Sequence, residues 1–412
     1  GMTSRRRLIG MAVVIGLAAS SASADTRLSG RIDLRAVSAS AGEPWAEGGP
    51  GKQRYASGSD LRLSHGVLVI DWQYGARPLD ARLVLHAADD RPGVVDATEV
   101  FLRWRPVPEG PWRTSLRAGA FFPEISRESS GLGWTPTHGL STSASNAWIG
   151  EELRTIGIEA SWSRAGRFVD SPHDWLLSTA LFGGNDTTGA LLAWRGWTMG
   201  DRLIGLRERI ALPALPAFEA GGGVAEQVPW TNPFREIDGR VGAYALLGHA
   251  HAEGWRSRLW LYDNFADPSI VKSGQYSWRT RFAQGWIERR WAGGTTLALQ
   301  SMWGTAAMGP RRRLVVDNGY RATSLHVEHA TDHWRWGARL EWFDVSDRDA
   351  TADDPNAESG RAAVLHLTRP WGAWEAVFEA SRVDSSREAR TLLDRDRRRI
   401  DGSVSIALRR DF

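Results

Sequence analysis

The sequence predicts an all-β chain that closes into one antiparallel transmembrane β-barrel of about 18 strands, with 16 as the alternative count. Three observations support this prediction: many runs of strand length alternate with period two, the links between them alternate between long and short, and an alternating strand ends the chain at Phe412. Residues 1–24 are expected to be removed, so the barrel is expected to occupy residues 25–412.

The first 24 residues have the layout of a secretory signal. Three arginines at positions 5–7 precede an apolar run over 8–19, and small residues follow up to Ala24. This arrangement predicts export through the inner membrane and cleavage before Asp25. Gly1 stands ahead of the initiator methionine and is expected to be a cloning residue.

Charge and hydropathy exclude two classes of protein. The chain has 51 basic and 48 acidic side chains, a formal net charge of +3, and the three arginines of the signal account for the whole excess. Net charge therefore gives no support for a nucleic-acid partner. Outside the signal, no apolar run approaches the roughly 20 residues of a membrane-spanning helix, whereas a spanning strand needs an apolar residue only at every second position.

The first predicted strand shows the alternation most clearly, with Leu28, Ile32 and Leu34 on one face and arginines on the other. No convincing amphipathic helix interrupts the pattern that follows. The other seventeen predicted strands are 58–74, 79–90, 93–107, 112–123, 153–165, 173–184, 188–199, 202–213, 237–252, 254–265, 276–291, 294–305, 319–331, 333–346, 359–370, 373–384 and 399–412.

The links between these strands are sorted by length. Most even-numbered strands end in a tight turn, such as Arg77-Pro78, Gly200-Asp201 or Ala292-Gly293. Bacterial barrels have short periplasmic turns and long extracellular loops, so this sorting favours a barrel over a soluble sandwich. The long links predicted after odd-numbered strands are 40–57, 124–152, 214–236, 266–275, 306–318, 347–358 and 385–398.

Tryptophan is unusually frequent, with 22 residues in the chain. Many of these rings lie close to the short turns, which predicts an aromatic girdle at one membrane interface, since an indole ring is apolar while its N–H requires a polar partner. The alternative is that the rings fill the core of a soluble sandwich. The girdle is predicted to contain Trp112, Trp175, Trp197, Trp255, Trp291, Trp334, Trp371 and Trp374.

Taken together, the signal, the sorted links and the terminal Phe412 resemble the Gram-negative outer-membrane porin superfamily. The resemblance implies a cell outer-membrane location, contact with membrane lipid and lipopolysaccharide, and a homotrimer. It also implies that Phe412 is the signal read by the barrel-assembly machinery through the C-terminal strand. Arg410 departs from the pattern, because such strands usually carry an apolar residue there.

A weaker, local resemblance is to phosphate-selective porins of the O/P type, carried by the run Gly119-Ala120-Phe121-Phe122-Pro123-Glu124 and the long link after it. The lysine cluster of the phosphate-selective members is missing. By position, residues 124–150 correspond to the loop that folds into the lumen of general porins. The resemblance implies that this loop narrows the pore with Glu124, Arg127, Glu128, Trp134 and His138.

The polar faces of the predicted strands carry ladders of arginine, because residues two or four apart on a strand point to the same side. A charged side chain facing lipid near the midplane costs roughly 2–4 kcal/mol, so these faces are expected to line the lumen and attract anions. The alternative is that the arginines pair with carboxylates of neighbouring strands, such as Glu159, Glu288 and Glu341. The predicted pore-lining residues are Arg31, Arg35, Arg103, Arg105, Arg113, Arg117, Arg279, Arg281, Arg335 and Arg339.

The function predicted from these features is a passive channel for small hydrophilic solutes, with an anion preference. The alternatives are a non-conducting structural barrel, a barrel that exports a polymer, or a barrel hydrolase. A hydrolase would need a histidine beside a nucleophile or carboxylate at the rim, and the histidines weighed for this role are His249, His251, His326, His329 and His333. No Gly-x-Ser-x-Gly or His-Glu-x-x-His motif is present. No catalytic residue, metal site or cofactor is predicted.

Overall fold

Twenty β-strands and two short α-helices form in this computed structural model, which describes residues 25–40, 42–55, 57–310 and 312–412. The predicted signal lies outside the described residues. The elements are β1 (Asp25–Ala39), β2 (Gly58–Gln73), β3 (Leu79–Ala87), β4 (Val95–Trp104), β5 (Trp112–Phe121), α1 (Ala144–Glu152), β6 (Thr155–Arg164), β7 (His173–Gly183), α2 (Ala190–Trp194), β8 (Ile210–Ala211), β9 (Trp230–Thr231), β10 (Gly242–His251), β11 (Trp255–Asp263), β12 (Val271–Lys272), β13 (Gln275–Tyr276), β14 (Arg279–Arg290), β15 (Thr295–Met308), β16 (Val316–Ala330), β17 (Arg335–Asp347), β18 (Glu358–Trp371), β19 (Trp374–Arg387) and β20 (Arg398–Asp411).

Sixteen of these strands form the wall of a closed antiparallel barrel, in the order β1 to β7, β10, β11 and β14 to β20, and β20 pairs back onto β1. The prediction of a closed antiparallel barrel is confirmed, with the alternative count of 16 rather than 18. The strands predicted over 188–199 and 202–213 are wrong. These residues contain α2, extended chain and the two-residue strand β8, none of which belongs to the wall, and all residues from 185 to 205 are buried.

The links of the wall are sorted by length as the sequence predicts. One end of the barrel has short turns, such as 252–254, 291–294 and 372–373, and is called the turn side below. The other end has long links, above all residues 122–154 between β5 and β6 and residues 184–241 between β7 and β10, and is called the loop side. The two-stranded pairs β8–β9 and β12–β13 lie within the loop-side links.

The outer surface of the wall is apolar over its middle. Leu181, Ile158, Leu365 and Ile406 point outward and are 57–62% exposed. Such a surface around a closed barrel is typical of outer-membrane proteins, in which lipid covers these side chains. Among the described residues, no helix is long and apolar enough to span a membrane.

The barrel closes at a seam where β1 and β20 pair from Arg31 opposite Asp411 to Ala39 opposite Ser403. At the turn-side end of the seam, Gly30 and Phe412 exchange two backbone hydrogen bonds of 2.8 and 3.0 Å. A Cβ atom on Gly30 would lie 2.3 Å from Cζ of the Phe412 ring. The terminal phenyl ring therefore packs directly over a glycine that leaves room for it.

Replacing Gly30 with valine is expected to expel the Phe412 ring and weaken the seam. Overpacking of this kind costs roughly 1–3 kcal/mol. The folded form of the G30V variant, followed by its faster migration on unheated gels, should therefore disappear at a lower temperature than that of the wild type. The matched control is Gly319→Val, at a strand glycine whose nearest neighbour is 3.7 Å from the added Cβ. Equal melting of the two variants would show that the ring contributes nothing to closure.

Candidate functional site: the filled lumen

The link between β5 and β6, residues 122–154, lies inside the barrel and is called the first insert. It crosses the lumen from one wall to the other. At one side the Trp286 indole N–H donates to the carbonyl of Ile125 at 2.6 Å. At the other side Arg31 donates to Thr135 Oγ1 at 2.9 Å, and Gly133 packs so closely on Val67 that a Cβ there would lie 2.5 Å from it.

Two wall carboxylates anchor the backbone of the first insert. Glu379 of β19 accepts the N–H groups of Leu140 and Ser141 at 2.6 and 3.0 Å. Glu341 of β17 accepts the N–H of Ala144 at 2.9 Å. Hydrogen bonds to charged groups contribute about 1.5–3 kcal/mol each, so these three contacts fix the insert firmly to the wall.

Helix α1 begins within the first insert at a polar cluster. Ser143 is its N-cap and accepts the N–H of Asn146, which satisfies one of the free donors at a helix start. The Ser143 hydroxyl in turn donates to Glu128, and Gln300 of β15 donates to Ser143 Oγ at 2.9 Å. Every residue of α1 is buried, so the helix lies within the lumen rather than above it.

The link between β7 and β10, residues 184–241, is called the second insert, and it fills the loop-side part of the lumen. Its helix α2 is wholly buried, and the Trp194 ring packs edge-on against Trp278 at 5.0 Å between centroids. In the same cluster Trp148 of α1 packs on Phe282 and Tyr320 of the wall, each at 5.4 Å. Several of the tryptophans therefore form an apolar core inside the barrel, and this core holds the two inserts together.

Asp201 in the second insert joins three separate parts of the chain. Its carboxylate is 2.5 Å from Arg35 of β1, 3.0 Å from Arg54 of the link between β1 and β2 (the first loop), and 2.6 Å from His65 of β2. All four side chains are almost completely buried. Because removing one partner would leave a buried charge uncompensated, this cluster ties the second insert to the wall near the seam.

Two carboxyl groups in the core are surrounded by few compensating charges. Burial raises the pKa of Glu152 in α1 to about 7, against the hydrogen bonds it accepts from the Leu191 N–H and the Trp148 indole. Burial likewise raises the pKa of Asp354, in the link after β17, to about 7, against a hydrogen bond from Trp194. Both groups contact the aromatic core, so their ionisation near neutral pH acts directly on the packing of the inserts.

Below the first insert, at the turn side, inward-facing charged side chains are partly exposed and line a vestibule. Side-chain exposures of Arg82, Arg103, Arg335 and Glu375 range from 21 to 34%. Glu124 of the first insert is 56% exposed and forms part of the vestibule roof. The vestibule is therefore a charged, solvent-accessible recess that ends at the first insert.

Most of the arginines predicted to line the pore face inward, and each of these except Arg113 has a carboxylate partner. The pairs are Arg31–Asp411 at 2.6 Å, Arg35–Asp33 at 2.8 Å, Arg103–Asp80 and Arg105–Asp80 at 3.0 Å, Arg117–Glu159 at 2.5 Å, Arg335–Glu375 at 3.2 Å and Arg339–Glu341 at 2.6 Å. The alternative of arginine–carboxylate pairing therefore describes most of this set.

Four inward-facing arginines of the described wall have no carboxylate within 4.0 Å: Arg27 of β1, Arg113 of β5, Arg258 of β11 and Arg290 of β14. Arg113 of β5 lies 5.3 Å from the ring centroid of Phe168, and Arg258 of β11 shares the inward face with Trp260. The guanidinium groups of Arg113 and Arg258 therefore add positive charge to the vestibule that no adjacent carboxylate balances.

The pore-lining prediction is wrong for Arg279 and Arg281. On β14 the buried residues are Thr280, Phe282 and Gln284, so the odd-numbered side chains face outward. Both arginines lie at the loop-side end of the strand, where lipid headgroups rather than acyl chains are expected. The penalty for a charge facing lipid falls to about 0–1 kcal/mol near the interface, which is why the sequence rule fails there.

The tryptophans predicted for the girdle lie at the turn side, with one exception. Trp112, Trp175, Trp255, Trp291, Trp334 and Trp371 are 37–66% exposed on the outer surface, and Trp374 is partly exposed beside them. Trp197 is wrong, because it is fully buried in the second insert, where its N–H donates to the Asp344 carbonyl at 3.1 Å. Tryptophan therefore occupies both an outward-facing ring at the turn side and an apolar core, and that core lies inside the barrel.

Three solved structures have a similar architecture. DcaP, an outer membrane channel of Acinetobacter baumannii, matches with a TM-score of 0.57 at 10% identity over 95% of this chain and 99% of its own. An anion-selective porin from Comamonas acidovorans matches with a TM-score of 0.54 at 10% identity, covering 94% and 100% of the two chains. The chain has the fold of an outer-membrane porin.

A third porin-fold structure is the trimer form of OmpT, an outer membrane protein of Vibrio cholerae, with a TM-score of 0.53 at 8% identity over 95% of this chain and 100% of that one. At such identities the similarity establishes the fold alone. No known family profile and no curated protein matches the sequence. None of the three structures is described as phosphate-selective, so the local resemblance to that type stays a prediction.

One group of side chains inside this barrel departs from the prediction that the chain has no metal site. His326 and Glu328 of β16 and His366 of β18 bring one ligand-type atom each within 4.8 Å of one another. His138 of the first insert adjoins them, with Nδ1 at 2.9 Å from Glu328 Oε2. The spacing of two between His326 and Glu328 was a readable signal, but their meeting with His366 requires the tertiary fold.

The other histidines weighed for catalysis lie elsewhere on the barrel. His249 and His251 face outward near the turn side, where His249 is 2.9 Å from His173. His329 also faces outward and contacts Thr295 Oγ1 at 2.9 Å, while His333 is exposed in a turn. Among the described residues, no histidine ring shares a hydrogen bond with a serine hydroxyl, as an activated serine nucleophile would require.

Proposed function

We propose that this protein is a passive outer-membrane channel for small hydrophilic solutes, with a narrow passage and a preference for anions. The observation that carries the proposal is the arrangement of the lumen. A charged vestibule opens at the turn side and ends at an insert that is held across a closed barrel of porin fold. Porins select by size and charge at a constriction of this kind.

The predicted constriction residues take two positions relative to the vestibule. Glu124 and His138 are exposed or partly exposed to it, with side-chain exposures of 56 and 18%. Arg127 and Glu128 are buried behind them, and Trp134 stacks on Phe122 at 4.2 Å between centroids. Under the proposal, Glu124 and His138 meet the solute, and the other three hold the insert in shape.

A second candidate function is favoured by the second insert. Residues 185–205 are buried without interruption, and an aromatic core fills the loop-side lumen. This packing is what a non-conducting barrel with a structural or polymer-exporting role would show. The two candidates differ in a single measurable property, which is ion conductance in the resting state.

The deciding experiment is single-channel recording of the mature, refolded protein in a planar bilayer with a salt gradient. Steady conductance with a reversal potential that favours anions supports the channel. A silent bilayer formed with well-folded, heat-modifiable barrel contradicts it and supports the plugged barrel. Hydrolysis of a lipid or ester reporter would instead indicate an enzyme, for which the described residues provide no activated nucleophile.

The anion preference is expected to depend on Arg113 and Arg258. In the double variant Arg113→Ser/Arg258→Ser the reversal potential should move towards zero, because part of the unbalanced positive charge of the vestibule is lost. The matched control is Arg281→Ser/Arg382→Ser, which removes two outward-facing arginines that also have no carboxylate within 4.0 Å. An equal shift in both double variants would mean that overall charge, rather than vestibule charge, sets the preference.

We also propose partners on the outer surface of the barrel. Arg281 faces outward at the loop-side end of β14 without a carboxylate partner, and Arg279 lies two residues before it, so both are placed to contact lipopolysaccharide phosphates. Phe412, at the end of the last strand, is the proposed contact for the barrel-assembly machinery. A homotrimer is proposed from the trimer form of the Vibrio cholerae protein, and light scattering of the detergent-solubilised barrel would measure the oligomeric state.

A further inference from the structure

We propose that His326, Glu328 and His366, together with His138 of the first insert, form a binding site for a late first-row divalent cation such as Zn²⁺. The three wall residues bring their ligand-type atoms within 4.8 Å of one another. His326 Nε2 and His366 Nε2 are 2.9 Å apart, and His366 Nε2 is 3.9 Å from Glu328 Oε2. Zinc is bound tetrahedrally by imidazole nitrogen and carboxylate oxygen at about 2.0–2.2 Å, so only small movements are needed to enclose an ion between these atoms.

A glycine in the intervening strand allows this approach. The sheet register places Glu328, Gly337 and His366 in one row across β16, β17 and β18. A Cβ atom on Gly337 would lie 2.6 Å from His366 Nε2 and would push the ring away. Because Gly337 has no side chain, His366 reaches across β17 to the donors of β16, so the cluster depends on the residue placed between its members.

His138 supplies the fourth ligand and the route of entry. Its Nδ1 lies 2.9 Å from Glu328 Oε2, and its ring lies 5.4 Å from that of His326. His138 is 18% exposed to the vestibule, whereas the His366 side chain is fully buried. A cation entering from the turn side would therefore meet His138 and Glu328 first.

The metal-free hydrogen bonds show what binding must change. Arg127 is a donor only and lies 3.0 Å from His326 Nδ1, so that nitrogen is the acceptor and Nε2 carries the proton. His326 Nε2–H then donates to His366 Nε2, and His366 Nδ1 is buried without a partner. Metal binding requires the proton of His326 to move to Nδ1, and therefore requires Arg127 to leave.

Arg127 has another partner within reach. Glu288 of β14 lies 3.7 Å from its Nη1, and neither Nη1 nor Nε has a hydrogen bond. The guanidinium group can therefore move onto Glu288 while the cluster takes up the ion. Arg127 is a competitor of the cation in this arrangement, and this gives the proposal a test that a purely structural role would not meet.

A cation in this site would join the first insert to the wall, because His138 belongs to the insert and the other three ligands belong to β16 and β18. The proposal does not depend on whether the barrel conducts. It predicts saturable binding of one Zn²⁺ per chain and a higher melting temperature in the presence of the ion.

The test is titration of the refolded mature barrel with ZnCl₂ against a chromophoric chelator. His326→Gln and His366→Gln should each weaken binding by at least about 100-fold, since loss of an outer-shell partner alone costs 10–100-fold. Arg127→Ala should bind Zn²⁺ more tightly than the wild type. The matched control is His249→Gln, which alters the part-buried His173–His249 pair on the outer surface and should leave the affinity unchanged.

Each outcome decides the proposal. Variants are compared only after heat-modifiable migration on gels shows that they fold. The variant Gly337→Ala disrupts the site by a second route, without removing a ligand. If H249Q loses Zn²⁺ binding while H366Q keeps it, the zinc lies on the outer surface and the assignment is overturned. Weaker binding in R127A, or no saturable binding by the wild type, would overturn it as well.

Discussion

Replacing Glu341 and Glu379 with glutamine is expected to release the first insert and raise the conductance several-fold, with more frequent closures. The two carboxylates accept three backbone N–H bonds from Leu140, Ser141 and Ala144. Neutral hydrogen bonds contribute about 0.5–1.5 kcal/mol, against about 1.5–3 kcal/mol for charged ones, so the change weakens each anchor without altering its shape. Single-channel recording measures the conductance, and limited proteolysis of the insert reports its release.

The matched control for this experiment is Glu375→Gln, on the same strand as Glu379. Glu375 faces the vestibule and pairs with Arg335 at 3.2 Å, with no hydrogen bond to the insert. Loss of the Glu375 charge should change the ion selectivity more than the conductance. Unchanged conductance and unchanged protease resistance in E341Q/E379Q would show that the aromatic core alone holds the insert in place.

The second large effect is on stability against pH. Burial raises the pKa of Glu152 and of Asp354 to about 7 in the folded chain. A carboxyl with a raised folded pKa stabilises the fold fully below its unfolded pKa, near 4–4.5, and this contribution is lost as the pH rises through about 7. Each of the two groups is therefore expected to make the barrel about 3 kcal/mol less stable at pH 8 than at pH 5.

The measurement is the thermal unfolding of the wild type and of Glu152→Gln/Asp354→Asn at both pH values. The double variant should show a smaller difference between pH 5 and pH 8, because its two amides do not ionise. Glu109→Gln, at an exposed turn carboxylate, serves as the control and should behave like the wild type. An identical pH dependence in the double variant and the wild type would contradict the assignment of these two groups.

The wall of the barrel was predictable from the sequence because its signal is local. A strand that faces lipid on one side and a polar lumen on the other alternates residue by residue, as β1 and β20 do. Residues 188–213 were counted as two wall strands, because a segment packed within a filled lumen is rich in apolar side chains, as a wall strand is. Nothing in a local pattern distinguishes such a segment from the wall.

The site was predictable only in part, for two physical reasons. Placing every charged strand residue in the lumen fails for Arg281, since the outer surface beyond the apolar band meets polar headgroups. The histidine cluster required the register of β16, β17 and β18, which brings His366 to His326 across Gly337. Pairing of arginines with carboxylates of neighbouring strands was the alternative interpretation. Arg117 pairs with Glu159 in this way, and most of the inward arginines have such a partner.

The contacts of the first insert also bear on the order in which the barrel is assembled. The insert bonds to Arg31 on one side of the β1–β20 seam and to Glu379 on the other, and Lys52 of the first loop donates its backbone N–H to Asp401 of β20. These contacts bridge the seam from inside the barrel, so they are complete only when β20 has met β1. Closure of the ring and packing of its interior are therefore coupled steps of folding.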